Sequence, residues 1–439
     1  MSYCPHTKHD QDSMIKEAGL SSVSAMFSDI PKEIINKSSF ALPAPLSEIE
    51  LGKELSAAAN KNISVGSRAS FMGGGSYHHF IPAAVKHLAG RSEFYTAYTP
   101  YQAEMSQGML QAIFEYQSYI CRLTGMDVAN ASLYDGATAL AEAAALAVRS
   151  TGKSRVLFYG PVNPNYLAVL KTYAKAASWI VEELKDGDSD FACILCQQPN
   201  FFGCIEDLSK VSDIAHKNNA LFIVSVDPIS LGILKPPSEY GADIVVGEGQ
   251  SLGSPPSFGG PGLGFFAATK KYMRLVPGRL VGETTDSDGK RGYVLTLQAR
   301  EQHIRREKAY SNICTNSALM ALAATIYLSL MGKSGLKKVA ELCLQKSHYL
   351  KEKISSIKGF SSPLLVARYS LPAFTFKEFV IKSEKPIKDI NNALLKEGFI
   401  GGIDLEQFCP ELKNHMLLCV TELITKEDMD KVSLVLSEA

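Results

Sequence analysis

The strongest constraint on the fold is a series of short apolar runs between residues 155 and 268 that alternate with helical stretches. Six runs have the length and composition of buried strands: Arg155–Tyr159, Trp179–Glu182, Phe191–Cys196, Leu221–Val226, Ile244–Val246 and Gly264–Ala268. Helical patterns lie between several of them, at Tyr166–Ala177 and Asp207–Lys217. Continuously apolar strands that alternate with helices indicate a mainly parallel sheet covered on both faces.

The sequence on either side of this region predicts two further parts. Short helices joined by loops precede it, one of them introduced by a capping box at Ser47. Two long helices and then a small α+β pattern follow it: Ser317–Met331, Gly335–Ile357, Ala373–Lys382, Ile387–Lys396, His415–Thr421 and Glu427–Leu436. Because 439 residues exceed what one core usually supports, we expect an N-terminal arm (1–90), a large α/β domain (91–355) and a small C-terminal domain (356–439).

Charge and hydropathy exclude several classes of function. Lys+Arg and Asp+Glu both number 45, so a neutral chain gives no electrostatic reason to expect nucleic acid or an anionic membrane as a partner. No run of eighteen or more apolar residues is present, and the polar start lacks a signal or transit pattern. We therefore expect a cytoplasmic protein. The nine irregularly spaced cysteines are typical of reduced, buried thiols, since Cys193 and Cys196 should point to opposite faces of a strand.

A large α/β domain followed by a small α+β domain is typical of the aspartate-aminotransferase-like fold of pyridoxal phosphate (PLP) enzymes. Such a fold does not by itself establish function. The cofactor chemistry requires a helix N-terminus for the phosphate, a strand-end Asp for the pyridine nitrogen and a Lys for the Schiff base. Each requirement can be checked in the sequence.

The first two requirements are met in form. Asp135 stands at the head of a predicted helix whose first residues are Gly136, Ala137 and Thr138. Small residues there leave backbone N–H groups open to an anion. Asp227 directly follows the run Leu221–Val226, although a role as a turn cap is an alternative.

The third requirement is not met. No lysine lies between Lys235 and Lys270, and Gln250, near the expected position, cannot form an imine. The Asp135 carboxylate would also face the phosphate, and two like charges about 4 Å apart repel by roughly 1 kcal/mol in water. The sequence therefore predicts a degenerate cofactor site. Lys270 and Lys271 leave open a stand-alone PLP enzyme, but they follow one element too late.

An aromatic segment, Tyr95–Gln102, is a second candidate. Thr99 and the following proline predict a helix start, and that helix should end at Gly125. The hydroxyls of Tyr95 and Tyr98 can donate to a carboxylate or transfer a proton. Core or interface packing of the rings is the alternative.

The sequence leaves more than one interpretation for two other segments. The three glycines of Phe71–Phe80 form either a tight turn or a loop that lines a cleft, with His78 and His79 nearby. Adjacent histidines rarely ligate one metal, so we expect no metal site. The basic stretch Arg300–Lys308 is a solvated helix face, a subunit contact or a dock for the carboxylates of a partner.

Several motifs together resemble the P-protein family of the glycine cleavage system. They are Tyr3–Thr7 with Asp10 and Met14, Leu20–Val23, Met26–Pro31, Phe71–Pro82, Tyr95–Gln111, Phe258–Gly262, Gly278–Thr284, Leu297–Lys308 and Ser311–Thr315. The similarity runs from residue 3 to about residue 320, and beyond it the chain agrees only in pattern.

The resemblance implies a subunit of α type, which lacks the PLP lysine, paired with a β subunit that carries PLP. The family decarboxylates glycine and passes the aminomethyl group to the lipoyl arm of H-protein, at a site near the subunit interface that Tyr95–Gln102 would reach. Gln250 and Asp135 agree with the α type. A non-catalytic scaffold of the same fold is the alternative function. We expect the isolated chain to be inactive and to form no imine with PLP.

Overall fold

The computed structural model describes residues 5–37, 42–258, 260–313, 316–363, 365–366, 369–370 and 374–438. Some residues of the sequence patterns lie outside these ranges: Tyr3, Cys4, Gly259, Cys314, Thr315 and Ala373. The chain divides into two compact units, Met1–Ile63 and Ser64–Ala439.

The first unit consists of short helices without a core of their own. They are α1 (Lys8–Glu17), a 3₁₀ turn (Val23–Phe27), α2 (Lys32–Lys37) and α3 (Glu48–Ala59). None of the described residues in this unit is buried. The predicted capping box at Ser47 is present, since Ser47 Oγ accepts from the Glu50 N–H and the Glu50 carboxylate accepts from Ser47.

A seven-stranded sheet, called the large sheet below, organises the second unit. Its strands are β1 (Val128–Ala129), β2 (Arg155–Tyr159), β3 (Ile180–Glu183), β4 (Cys193–Gln198), β5 (Leu221–Val226), β6 (Ile244–Glu248) and β7 (Gly264–Ala268). Their order is β1-β7-β6-β5-β4-β2-β3, with β7 antiparallel to both of its neighbours and the other pairs parallel. The predicted mainly parallel sheet is confirmed.

Helices cover both faces of the large sheet. Those of the second unit are α4 (Ala83–Ala89), α5 (Ser92–Tyr95), α6 (Gln107–Thr124), α7 (Gly136–Thr151), α8 (Pro164–Ala177), α9 (Leu208–Lys217), α10 (Gln302–Arg305), α11 (Ala318–Ser355), α12 (Ile387–Lys396) and α13 (Lys426–Glu438). Apolar residues of α7 and α8 pack on one face, and those of α6, α9 and α11 pack on the other. Cys193 and Cys196 belong to opposite cores, as strand alternation predicts.

A four-stranded antiparallel sheet, the small sheet, follows α11. Its order is β10 (Phe360–Ser361), β13 (Glu378–Ser383), β15 (His415–Cys419) and β14 (Ile403–Asp404). The remaining described strands form two hairpins, β8 (Leu280–Thr285) with β9 (Arg291–Thr296), and β11 (Leu365–Val366) with β12 (Tyr369–Ser370). Residues of α12, α13 and the end of α11 pack with the small sheet around a separate apolar core.

The start of one helix differs from the expectation. The helix predicted from Thr99 begins only at Gln107, because Thr99 Oγ1 accepts a hydrogen bond from Arg279 instead of capping the helix. Its end at Gly125, in the left-handed conformation, is as predicted. The two long helices predicted after the large sheet are both present: they adjoin within α11, where the non-helical Gly332 separates them. By length and composition α11 is apolar enough to cross a bilayer, but Ala321, Tyr327 and other residues of it are buried in the core.

Candidate functional site

A cleft lies at the carboxyl ends of β5 and β6, where parallel α/β sheets usually bind ligands. The loop Gly73–Phe80 and residues at the start of β13 complete its lining. The triple-glycine segment therefore lines a cleft, which was one of the two alternatives for it. Its glycines allow close approach, since a Cβ on Gly73 would overlap Glu378.

The helix N-terminus at this cleft is already satisfied by carboxylates of the chain. Asp135 caps α7, and its Oδ1 accepts from the Thr138 N–H at 2.7 Å. Glu248, at the end of β6, accepts from the Gly136 N–H at 2.9 Å. Its other oxygen accepts from the N–H groups of Gln250 and Leu263. The position where a phosphate would bind thus holds the Glu248 carboxylate.

Burial raises the pKa of Glu248, although the backbone N–H groups oppose that rise by favouring the carboxylate. Ala137, the second residue of α7, is buried and offers no polar side chain. An anionic ligand at this helix would therefore meet two acidic side chains. Glu248 thus adds a second acidic group to the repulsion predicted from Asp135.

Gln250 joins the Gly73–Phe80 loop to the large sheet. Its Oε1 accepts from the Tyr77 N–H at 2.9 Å, and its Nε2 donates to the Tyr77 carbonyl at 3.1 Å and to the Ser254 carbonyl. The side chain is buried and both of its polar atoms are hydrogen-bonded. In the place predicted for the cofactor lysine, the chain therefore has a neutral structural link.

Asp227 serves two purposes at the end of β5. Oδ1 accepts from the Ile229 N–H at 3.1 Å, so the turn-cap alternative holds. Oδ2 lies 2.8 Å from Nζ of Lys377, a residue 1% exposed that directly precedes β13. The same ammonium lies 3.3 Å from the centroid of the Tyr77 ring. Asp227 is thus paired with a cation of the chain itself.

Pyridoxal phosphate does not fit this cleft. The aspartate for the ring nitrogen is paired with Lys377, the N–H groups for the phosphate are bonded to carboxylates, and Gln250 replaces the lysine. Of the five predicted cofactor-site positions, Asp227 lines the cleft, and the N–H groups of Gly136 and Gln250 both bond to Glu248. Ala137 is buried and Thr138 bonds to Asp135.

Three side chains of residue types that can bind a metal ion lie beside the cleft. Ligand atoms of His79, Cys343 and Glu422 are all within 4.8 Å of one another. His78 is not part of this group. The Lys377 ammonium is 3.1 Å from Nε2 of His79, so a second cation here would be repelled.

The aromatic segment Tyr95–Gln102 lies on the surface of the second unit. Tyr95, Tyr98 and Tyr101 are 68%, 73% and 72% exposed, and the rings of the last two are 6.4 Å apart. Core packing of these rings is therefore wrong, and interface packing or chemistry at a shared site remain as predictions for them. Large exposed aromatic groups are typical of interaction surfaces.

A buried arginine supports this segment from below. Arg279, 7% exposed, donates to Thr99 Oγ1, and its Nε lies 3.9 Å from Oε2 of Glu301. Arg300 donates to the Val276 carbonyl, while Arg305, Arg306 and Lys308 are exposed. The basic stretch Arg300–Lys308 is therefore not one solvated helix face, since its first two residues are partly or fully buried.

Sequence reasoning did not identify Glu248, Lys377 or Glu422. Glu248 could have been identified from its position, since a carboxylate at the end of a parallel strand lies at the edge of the sheet where helix N-termini converge. Lys377 had only a weak one, a charged residue within an apolar strand pattern. Its partner is far away in sequence, so only the fold identifies the pair.

Comparison with known proteins gives the same family over the whole chain. The family described as "Glycine cleavage system P-protein" matches residues 1–436. A protein of Desulforamulus reducens named "Probable glycine dehydrogenase (decarboxylating) subunit 1" is 52% identical, covering 98% of each chain. One of the same name from Geobacillus kaustophilus is 50% identical, covering 98% of this chain and 97% of the relative.

Solved structures agree. A crystal structure of glycine decarboxylase (P-protein) of the glycine cleavage system, in inhibitor-bound form, matches with a TM-score of 0.91 at 43% identity over the whole of both chains. More distant structures share the fold alone, among them a C-DES mutant with glycine covalently linked to the PLP cofactor, at a TM-score of 0.58 and 13% identity, covering 85% of this chain and 97% of that one. The predicted PLP-enzyme fold is confirmed.

Proposed function

Because the chain belongs to the P-protein family of the glycine cleavage system, we propose that it is the α subunit of a two-subunit glycine decarboxylase. Together with a β subunit it takes the carboxylate of glycine off as CO₂ and passes the aminomethyl group to the lipoyl arm of H-protein. PLP, held by the β subunit, supplies an electron sink for the decarboxylation. We place the complex in the cytoplasm.

The observation that carries this proposal is the composition of the cleft in this chain. Lys377 and Glu248 occupy the two charged positions that a PLP enzyme leaves for its cofactor, and Gln250 stands in place of the imine lysine. A chain of this family with such a cleft needs a partner to hold the cofactor. A stand-alone enzyme using Lys270 or Lys271 is disfavoured, because both side chains are exposed and follow β7 rather than β6.

The Tyr95–Gln102 segment is the part of this chain that we assign to the shared site. The contact of this segment with Arg279 favours a role in the shared site over a role as a contact surface only. Arg279 is buried, and it donates to the hydroxyl of Thr99, which lies between Tyr98 and Tyr101 in the chain. A buried anchor beside exposed phenols favours a loop that places a hydroxyl reproducibly, which proton transfer requires.

Reconstitution tests the proposal directly. The chain is co-expressed with a β-type chain that carries the PLP lysine, and glycine–bicarbonate exchange is measured with lipoylated H-protein. We expect exchange from the complex and none from either chain alone. Exchange by this chain alone would contradict the proposal, as would an active β-type chain that gains nothing from it.

Two conservative variants test the assigned segment. Tyr95→Phe and Tyr98→Phe each delete one exposed hydroxyl and keep the ring. Loss of a positioned proton donor costs about 10²–10⁴-fold in rate, whereas loss of a peripheral hydrogen bond costs only around tenfold. We expect at least one of the two variants to fall in the larger range while the complex still assembles in gel filtration.

Tyr349→Phe is the matched control. It also deletes one hydroxyl, but from a pair with Asp430 on α13 (2.6 Å), in the C-terminal part of the chain. We expect it to keep most of the rate. If Tyr95→Phe and Tyr98→Phe behave like this control, the segment is a contact surface only and the chain acts as a scaffold for the β subunit.

A further inference from the structure

The cleft contains a cation with an unusual set of neighbours. Lys377 Nζ lies 2.8 Å from the Asp227 carboxylate, 3.1 Å from His79 Nε2 and 3.3 Å from the centre of the Tyr77 ring. Burial lowers the pKa of Lys377, but the Asp227 carboxylate, together with Cys419 and Cys343, raises it, and the net direction is upward. The side chain is therefore an ammonium ion in the interior of the protein.

This contact determines the protonation of His79. An ammonium has no acceptor, so His79 Nε2 must accept and the proton of the neutral ring must be on Nδ1. That Nδ1–H donates to Glu422 Oε2 at 2.7 Å, and Glu422 Oε1 accepts from the Phe80 N–H at 2.6 Å. Burial and the Lys377 charge both lower the pKa of His79, which agrees with a neutral ring.

The result is a buried chain of alternating groups. Glu422 is an anion, His79 a neutral relay, Lys377 a cation and Asp227 an anion. These four residues come from four different places: the segment after β15, the Gly73–Phe80 loop, the start of β13 and the end of β5. Lys377 therefore connects the small sheet to the large sheet through a single side chain.

The second charged position is filled in the same way. Glu248 binds the open N–H of Gly136 at the start of α7, where the fold would otherwise receive an anion. A cation at Asp227 and an anion at Gly136 are the two charges that a pyridinium phosphate would bring.

We propose that Lys377, with Glu248, is a built-in replacement for a bound ligand, and that its ammonium holds the small sheet closed on the large one. The cleft is then a binding site for a primary ammonium group, and the Lys377 side chain of the same chain occupies it. The Lys377 pairing lies within this chain and depends neither on the β subunit nor on glycine turnover.

Chemical rescue tests the site. Lys377→Ala removes a fragment equivalent to propylammonium and leaves Asp227 unpaired. We expect the melting midpoint to fall by about 4 °C or more, because a buried charge without its partner is strongly destabilising. Propylammonium chloride at millimolar concentration should restore part of that loss with saturation, and the neutral 1-propanol should not.

Two controls make the rescue specific. Wild type should not respond to propylammonium, since its own ammonium occupies the site. Lys377→Ala/Asp227→Asn should not respond either, since it has no anion to bind. A rise of the midpoint that is equal in all three proteins, or equal with 1-propanol, would overturn the assignment of a cation site.

A volume-conserving pair keeps the test decisive if the alanine variant fails to fold. Lys377→Met keeps the length of the side chain but leaves the Asp227 carboxylate buried without a cation. In Lys377→Met/Asp227→Asn, both members of the pair are replaced by uncharged side chains. We expect the double variant to melt well above the single one and within about 2 °C of wild type. Equal melting of the two variants would mean that charge pairing at Asp227 is not what holds the cleft.

Lys353→Met serves as the general control for losing a lysine ion pair. Lys353 pairs with Asp430, but both side chains are about 40% exposed. Exposed pairs contribute little, so the midpoint should hardly change. A loss as large as that of Lys377→Met would show that the buried pair has no special role.

Discussion

Gln250→Lys asks whether the missing lysine is all that separates this chain from a PLP enzyme. The new ammonium would have to lie where the Gln250 amide now accepts from the Tyr77 N–H and donates to two carbonyls. Because an ammonium has no acceptor, the Tyr77 N–H loses its partner in the interior. We therefore expect a less stable protein. We also expect no imine, because Lys377 and Glu248 still occupy the two charged positions of the cofactor.

The size of the destabilisation follows from those contacts. A buried N–H without a partner costs about 1–3 kcal/mol, and the charge at a side chain that is 6% exposed adds to it. Unfolding entropy of about 2.1 cal/mol/K per residue gives about 0.8 kcal/mol/K for residues 64–439. A loss of about 3 kcal/mol therefore lowers the melting midpoint by about 4 °C.

The assay combines thermal melting with borohydride reduction in the presence of PLP and peptide mapping. Gln250→Met is the matched control, since it also loses the hydrogen bonds but adds no charge. It should melt between wild type and Gln250→Lys. A stoichiometric pyridoxyl adduct at residue 250 would refute the claim that Glu248 and Lys377 close this cleft to the cofactor. A Gln250→Lys protein as stable as wild type would refute the cost assigned to the Tyr77 N–H.

Two further predictions concern stability elsewhere in the large sheet and its helices. Glu142 on α7 is buried, and burial raises its pKa to about 7 from 4.5. The folded state therefore binds the proton more tightly than the unfolded state. As the pH rises from 4.5 to 7, the free energy of unfolding should fall by up to about 3 kcal/mol. Glu142→Gln should thus raise the melting midpoint at pH 8 but not at pH 4.5, and an equal shift at both would contradict the assignment. Gly203→Ala should destabilise the protein far more than Gly152→Ala. Both glycines have a positive φ (82° and 71°), but only a Cβ at residue 203 would overlap the backbone of Glu378. Equal melting midpoints of the two variants would mean that the close approach of Gly203 to Glu378 does not contribute to stability.

The sequence by itself determined the large sheet and most of the helix ends. Strands such as Leu221–Val226 are apolar at every position, and only a sheet covered on both faces buries such a run. The capping box at Ser47, the helix start at Asp135 and the helix end at Gly125 are local signals, set by residues within one turn. The lack of a lysine near position 250 was equally visible, because it depends on spacing along one strand–loop unit.

Only the tertiary structure decided which side chains share a site. Thr99 carries a good capping signal, but Arg279 engages its hydroxyl and the helix starts later. Asp227 and Lys377 meet only because the small sheet lies beside the carboxyl ends of the large one. Local patterns arise from backbone geometry and the burial of one face, and a sequence records both. A pairing between distant side chains depends on how the chain returns to the same place, which no local pattern specifies.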